Sequence, residues 1–229
     1  AVAPTGQLDR LLAAIDGAGG RSVPVCLAVI PALARPELAT VIAGRGSVAI
    51  LQHGYAHLNH APSGEKKIEL GSHRPKADVL RELVAGRERM VELFGPAAMA
   101  VLVPPWNRIA PDIAAALPAI GLGAISTFGP RQRAGLGPEI LEVNTHIDIM
   151  DWHDSRRFLG EAAALDQTLR HLAARRRGSC DPEEPTGLLT HHLVHDDPAW
   201  RFVHDFLKRT LAHPAVRWLN GTEVFPVSR

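Results

Sequence analysis

Apolar positions along this chain follow two rhythms. One recurs every three or four residues and the other runs continuously over five to eight. Leu8, Leu11, Leu12 and Ile15 have helical spacing behind Pro4 and Thr5, with Gly17 as a C-terminal stop. Residues 23–30 form an unbroken apolar run, as expected of a parallel strand buried on both faces. Alternating in this way, the pattern predicts helices over 36–43, 76–94, 111–120, 161–176 and 200–211. Strands are predicted over 47–52, 98–103, 124–127, 141–149, 187–190 and 216–219.

Strand–helix alternation implies parallel strands joined by right-handed crossovers. The expected fold class is α/β, a distorted (β/α) barrel of about seven parallel strands. A doubly wound open sheet is the second choice. The length of 229 residues suits one domain spanning 1–229, since α/β barrels commonly occupy about 200–250 residues.

In such a barrel the chemistry sits at the C-terminal ends of the strands. The polar residues that directly follow predicted strands are therefore the informative ones. After 47–52 come His53, Gly54, Tyr55, Ala56 and His57, then Asn59 and His60, within a polar loop over 54–74. After 98–103 come Pro104, Pro105, Trp106, Asn107 and Arg108. His146, Asp148, Asp151, Trp152, His153 and Asp154 lie at the end of 141–149, and His191, His192 and His195 follow 187–190. Of 12 histidines, eight fall in these segments, which is more clustering than surface histidines need.

Neutral imidazole is the commonest nitrogen ligand for zinc and similar ions. His53 and His57, four apart, can converge on one ion, and a catalytic site needs about three protein ligands plus an open position. Two exposed loop histidines would look the same. His191 or His192 is a candidate general acid, with His195 a further choice, and Asp148 and Asp151 are candidates to orient it. An Asp near a strand end also commonly caps a turn. Tyr55, Trp106 and Trp152 are candidates to stack on sugar faces, although aromatic side chains fill cores more often.

Composition narrows the partners. The formal net charge is +1, so no global field favours nucleic acid or anionic lipid. Arg175, Arg176 and Arg177 end a predicted helix, where cations complement the dipole. No apolar run is long enough to span a bilayer. No signal peptide is visible, which favours a cytoplasmic location. Cys26 and Cys180 make no zinc motif, a disulfide between them has no support, and Cys26 reads as a small core residue.

Together these segments resemble the polysaccharide deacetylases, carbohydrate esterase family 4, with its NodB-like homology domain. The family's His-x-x-x-His motif matches the metal ligands His53 and His57. Its Pro-Pro-aromatic motif is similar to Pro104, Pro105 and Trp106. Its Asp-x-x-Asp-Trp motif matches Asp148, Asp151 and Trp152, and its Leu-x-His motif matches Leu189, Thr190 and His191. The resemblance implies a divalent metal, Zn2+ by preference, and hydrolysis of an acetyl amide on an amino sugar or a related acylated carbohydrate. His191 would then protonate the departing amine, tuned by Asp148 or Asp151. The Trp106 N–H would help hold the oxyanion, and Pro105, Trp106, Asn107, Arg108, Tyr55 and Trp152 would line the substrate.

Two departures qualify it. The family's first motif is an Asp-Asp pair giving the third metal ligand and the general base. Here the first acidic residue is Asp9, inside a predicted helix. Either the chain begins after that motif and its strand, or the protein is a non-catalytic carbohydrate-binding relative. Only Asp148 or Asp151 could replace the missing carboxylate. A metal hydrolase of another amide or ester is the remaining alternative. Second, the family's Arg before Pro-Pro is Val103 here, and Arg108 is the nearest substitute.

Overall fold

A computed structural model describes residues 6–131 and 139–226. Five parallel strands form one sheet in the order in which they occur: β1 (Val25–Val29), β2 (Val48–His53), β3 (Ala98–Val103), β4 (Ala124–Ile125) and β5 (Leu141–Glu142). A separate parallel pair joins β6 (Ile147–Asp148) to β7 (Leu188–Leu189). Sequential order without a reversal point is the winding of a barrel, and it excludes the doubly wound sheet. No strand ladder joins β7 to β1 among the described residues, so the expected closed, seven-stranded barrel is not seen.

The predicted strand over 141–149 is split, for a physical reason. Its first part pairs with β4, and Thr145 N still donates to Thr127 O at 3.0 Å. At the next residue it changes neighbour, with His146 N donating to Gly187 O at 2.8 Å, and β6 then runs beside β7. Gly187 lies so close to this turn-over that an added Cβ would stand 2.9 Å from Asn144 O.

Among the described residues, seven α-helices connect or flank the strands. They are α1 (Gly6–Gly19), α2 (Pro36–Ile42), α3 (Lys76–Phe94), α4 (Pro111–Ala114), α5 (Glu161–Arg177), α6 (Asp197–Leu211) and α7 (Gly221–Val224). The predicted helix over 111–120 stops early. Pro118 has no N–H to give, and the segment tightens into three-residue turns ending at Gly121. The predicted strand over 216–219 is instead a loop leading to α7, whose start is a reciprocal cap. Glu223 N donates to Asn220 Oδ1 at 3.0 Å, and Asn220 N donates to Glu223 Oε2 at 2.9 Å. Helix α7 lies against the inner sheet face, where a Cβ on Gly221 would meet Ala49 at 2.5 Å. Phe225 then packs with Leu51, Val101, Ala124 and Val143.

Helices α1 and α6 do what strand pairing does not. Leu8, Leu11, Leu12 and Ile15 of α1 pack in one buried cluster with Trp200, Phe202, Val203 and Leu207 of α6. Leu27 and Val29 of β1 and Ile147 and Ile149 at β6 belong to the same cluster. The seam thus holds the first strand and the last pair to a common body. Arg10 adds a 2.8 Å ion pair with Asp197, but both groups are exposed, so it contributes little. Cys26 keeps solvent access on the edge strand β1, yet its thiol is packed closely enough that burial pushes its pKa up to about 11, and both cysteines are free thiols.

Leu8 is fully buried in the seam. Leu8→Ala should lower the unfolding free energy by about 3–5 kcal/mol through lost transfer energy and a cavity. Urea denaturation with an unchanged m-value checks this.

Candidate active site

His53 is the last residue of β2. Its ring Nδ1 lies 2.8 Å from Val103 O at the end of β3, so Nδ1–H donates and the Nε2 lone pair is left free. Burial pushes the His53 pKa down to about 4, and positive charge on His57 or His191 opposes protonation further. His53 is therefore neutral at neutral pH, as a ligand must be. His57 stands with its ring centroid 5.0 Å from that of His53 and 4.4 Å from Trp106.

This loop is held in unusual backbone. His57, Trp106 and Asn107 have φ near +55 to +58°, a region that L residues rarely adopt. Each such residue costs on the order of 1 kcal/mol or more, so the surroundings must hold it there. One buried carboxylate does much of the holding. Glu69, fully buried, accepts Ala56 N at 2.7 Å, Tyr55 N at 3.2 Å and Leu58 N at 3.4 Å. Gly54 admits it: with φ +57°, a Cβ there would lie 2.0 Å from Glu69 Oε2 and 2.6 Å from Pro105 Cγ. Gln52 braces the strand end by donating to Gly54 O and Leu83 O.

A second group assembles at the exits of β6 and β7. Asp148 Oδ2 accepts Trp152 Nε1–H at 2.8 Å and lies 3.3 Å from His191 Nε2. Asp148 Oδ1 accepts Met150 N at 3.0 Å, and the Trp152 ring sits edge-on to His191 at 4.7 Å. His191 N donates to His195 Nε2 at 3.1 Å, and His195 packs against Trp200. His195 is therefore a brace for His191. His192 is buried, and burial pushes both His192 and His195 down to about 4.

Of the residues singled out in the sequence, the structure brings His53, His57, Pro105 and Trp106 together, and likewise Asp148, Trp152 and His191. Asp151 stands apart. It accepts the N–H groups of His153, Asp154 and Ser155 and the Ser155 hydroxyl, so it caps its own turn, and those bonds lower its pKa. Arg108 donates to Lys67 O at 2.9 Å, fastening the long loop. Asn107 is exposed. Tyr55 lines a cleft of about 590 Å³ with Pro31, Ala85, Glu88 and Arg89, a set that includes none of the histidines.

No protein-family model matches the sequence. Nor does any curated protein. Solved structures do. A protein described as a polysaccharide deacetylase from Mycobacterium smegmatis superposes with a TM-score of 0.65 at 18% identity, over 95% of this chain and 75% of that one. Another so described, from Pseudomonas aeruginosa PAO1, gives 0.62 at 14% identity, over 95% of this chain and 71% of that one. The fold is that of polysaccharide deacetylases. A 4-alpha-glucanotransferase from Thermococcus litoralis also matches, with a TM-score of 0.55 at 12% identity, over 94% of this chain and 35% of that one. The fold alone therefore does not select the chemistry.

Sequence reasoning passed over Glu69 and the bracing role of His195. Glu69 had a signal: a lone carboxylate between Ile68 and Leu70 in an otherwise polar loop. His195 had none, because its role depends on the turn that brings Nε2 to His191 N. Among the described residues, no carboxylate completes a three-ligand set with His53 and His57.

Glu69→Ala strands buried N–H groups and should cost about 2–3 kcal/mol while loosening His57. Denaturation and histidine ring NMR shifts would detect both effects. Acid should also destabilise the fold. His192 binds a proton near pH 6.5 when unfolded but only near pH 4 when folded. The stability is intact above about pH 6.5 and is lost as pH falls toward 4, at up to about 1.4 kcal/mol per pH unit from this group. In urea titrations from pH 7.5 to 4.5, His192→Phe should flatten that slope.

Proposed function

We propose that this protein is a metal-dependent hydrolase that removes an acyl group, most simply acetyl, from the amine of an amino sugar. The observation carrying this reading is the joint geometry at the strand exits. Two imidazoles, one with Nε2 freed by its bond to Val103 O, follow β2, and a His191–Asp148 pair backed by Trp152 stands at the exits of β6 and β7, near enough for charge on His191 to act on His53.

His53 and His57 fit a divalent ion as two nitrogen ligands, zinc by preference. Their number is one short of the usual three. Bound there, the ion would acidify water and polarise the acyl carbonyl. The chain's own groups supply the rest. The Trp106 N–H is the candidate oxyanion donor, held in place by its left-handed backbone. Asp148 fixes His191 through Nε2, and the protonated imidazole gives its proton to the leaving amine. Trp152 and Trp106 offer faces for a sugar ring. Asp148 is committed to His191 and Trp152, and Asp151 to its turn. Neither is free to serve as the third ligand or to take the proton of water. That shortfall favours a second reading, a carbohydrate-binding protein without turnover.

The two readings separate in one set of measurements on the full chain. With zinc supplied, an acetylated amino-sugar oligomer should release acetate. His53→Ala should lose zinc at this site. His191→Ala should keep it and lose about 10²–10⁴ in kcat. Oligomer binding without acetate release would establish the second reading. Acetate release undiminished in His191→Ala would remove His191 from the acid role.

A further inference from the structure

Helix α5 turns its apolar face away from the body of the protein. Its inner face is held by polar side chains. Gln167 accepts Asp148 N at 2.9 Å and donates to Asp148 O at 3.1 Å, and His171 Nδ1 lies 3.0 Å from Thr186 Oγ1. Only Ala164 and His171 of this helix are buried. The leucines point outward: Leu165, Leu169 and Leu172 are 38%, 65% and 46% exposed. One exposed leucine is ordinary, but a row of three on one helix marks a surface meant to be covered. Among the described residues, no other helix exposes more than one large apolar side chain.

The row has the spacing of a helix–helix seam. Ala162, Leu165, Leu169, Leu172 and Arg176 follow one another by three, four, three and four residues, and all five are exposed. That alternation keeps a single stripe facing a partner helix. The charges along α5 then select the partner's direction. Glu161 opens the helix, and Arg175, Arg176 and Arg177 close it. Arg175 is already engaged, donating to Pro182 O, and Asp166 pairs with Arg170 on the same helix. Glu161, Arg176 and Arg177 remain exposed at the two ends. Two copies laid in the same direction would bring their arginine ends together. Laid antiparallel about a two-fold axis at Leu169, each copy sets Glu161 against Arg176 and Arg177 of the partner subunit, and the helix dipoles oppose. Leu169 then meets its own copy, and Leu165 meets Leu172 of the partner subunit.

We propose that the outer face of α5 is a self-docking surface, through which two copies of this chain pair antiparallel about Leu169. The charge pattern is what favours a second copy over an unrelated partner. A helix acidic at its start and basic at its end is its own complement once reversed. Helix α5 has 17 residues and is therefore about 25 Å long, so the seam is short. It belongs with the small, reversible interfaces, which makes the dimer micromolar in affinity rather than permanent. None of the strand-exit histidines lies on the stripe, so the pairing is independent of the proposed hydrolysis.

Sedimentation velocity on the full chain, from about 1 to about 300 µM, is the test. The protein should pass from monomer to dimer over that range and stop there. Leu169→Glu sets two like charges against each other at the axis and should raise Kd at least about 100-fold. Leu169 is exposed, so the variant should keep its fold, which circular dichroism checks. A charge exchange tests the direction of pairing. Glu161→Arg makes both exposed ends of α5 basic, and Arg176→Glu with Arg177→Glu makes both acidic. Each variant alone should associate about 10-fold more weakly or worse, and an equimolar mixture should recover the original affinity. A chain that stays monomeric at the top of the range overturns the proposal. So does growth beyond a dimer, a dimer that survives Leu169→Glu, or a mixture that associates no better than either variant alone.

Discussion

The α1–α6 seam is the interaction on which the rest of the molecule depends. The sheet runs from β1 to β5, and among the described residues no ladder joins the β6–β7 pair back to β1. Apolar side chains from α1 and α6 join Leu27 and Val29 of β1 to Ile147 and Ile149 at β6. Fully burying a Leu, Ile or Phe side chain stabilises by about 1.5–3 kcal/mol, so this seam is worth more than the surface ion pairs at its edge. It also holds the two candidate histidine groups to one body. His53 hangs from the sheet and His191 from the separate pair, and the seam keeps them close enough for one to feel the other's charge.

Within that frame the site works by preorganisation, and polar groups are used inward. A buried carboxylate gathers three amide N–H groups and so fixes the loop carrying His57. A backbone carbonyl sets the His53 tautomer. An aspartate holds both the tryptophan and the histidine of the candidate acid. In the first case the amide bonds hold a loop in which His57 sits in the left-handed region that local propensity disfavours.

Two polar clusters flank β6 and β7. The one beyond the strands is partly exposed and pairs imidazoles with aromatic faces. The one before them is closed: the His146 and His171 rings stack at 3.5 Å, and His146 Nε2 stands 3.3 Å from the buried Glu184 carboxylate. The chain's abrupt change of pairing partner at His146 creates both. It directs His146 toward α5, and two residues later it brings Asp148 beside His191.

Read alone, the sequence determined the helix–strand alternation, the positions of α3, β3 and α5 to within a residue, and the histidine-bearing strand exits. These follow from periodicity and from the rule that chemistry collects where parallel strands end, both of which are local. It also brought forward His53, His57, Asp148 and His191 as chemistry-bearing residues. Only the tertiary structure decided that Asp151 caps its own turn, that Tyr55 faces another cleft, and that residues 141–149 change partners midway. The missing strand at 216–219 falls between the two cases: Asn220 and Glu223 spell a helix cap in the sequence, but the place of α7 under the sheet depends on Gly221 meeting Ala49. Glu69 lies 11 to 14 residues from the amides it gathers, and Glu184 lies 40 from Asn144. What makes each of them matter is burial and a few ångströms of distance, which no local pattern encodes.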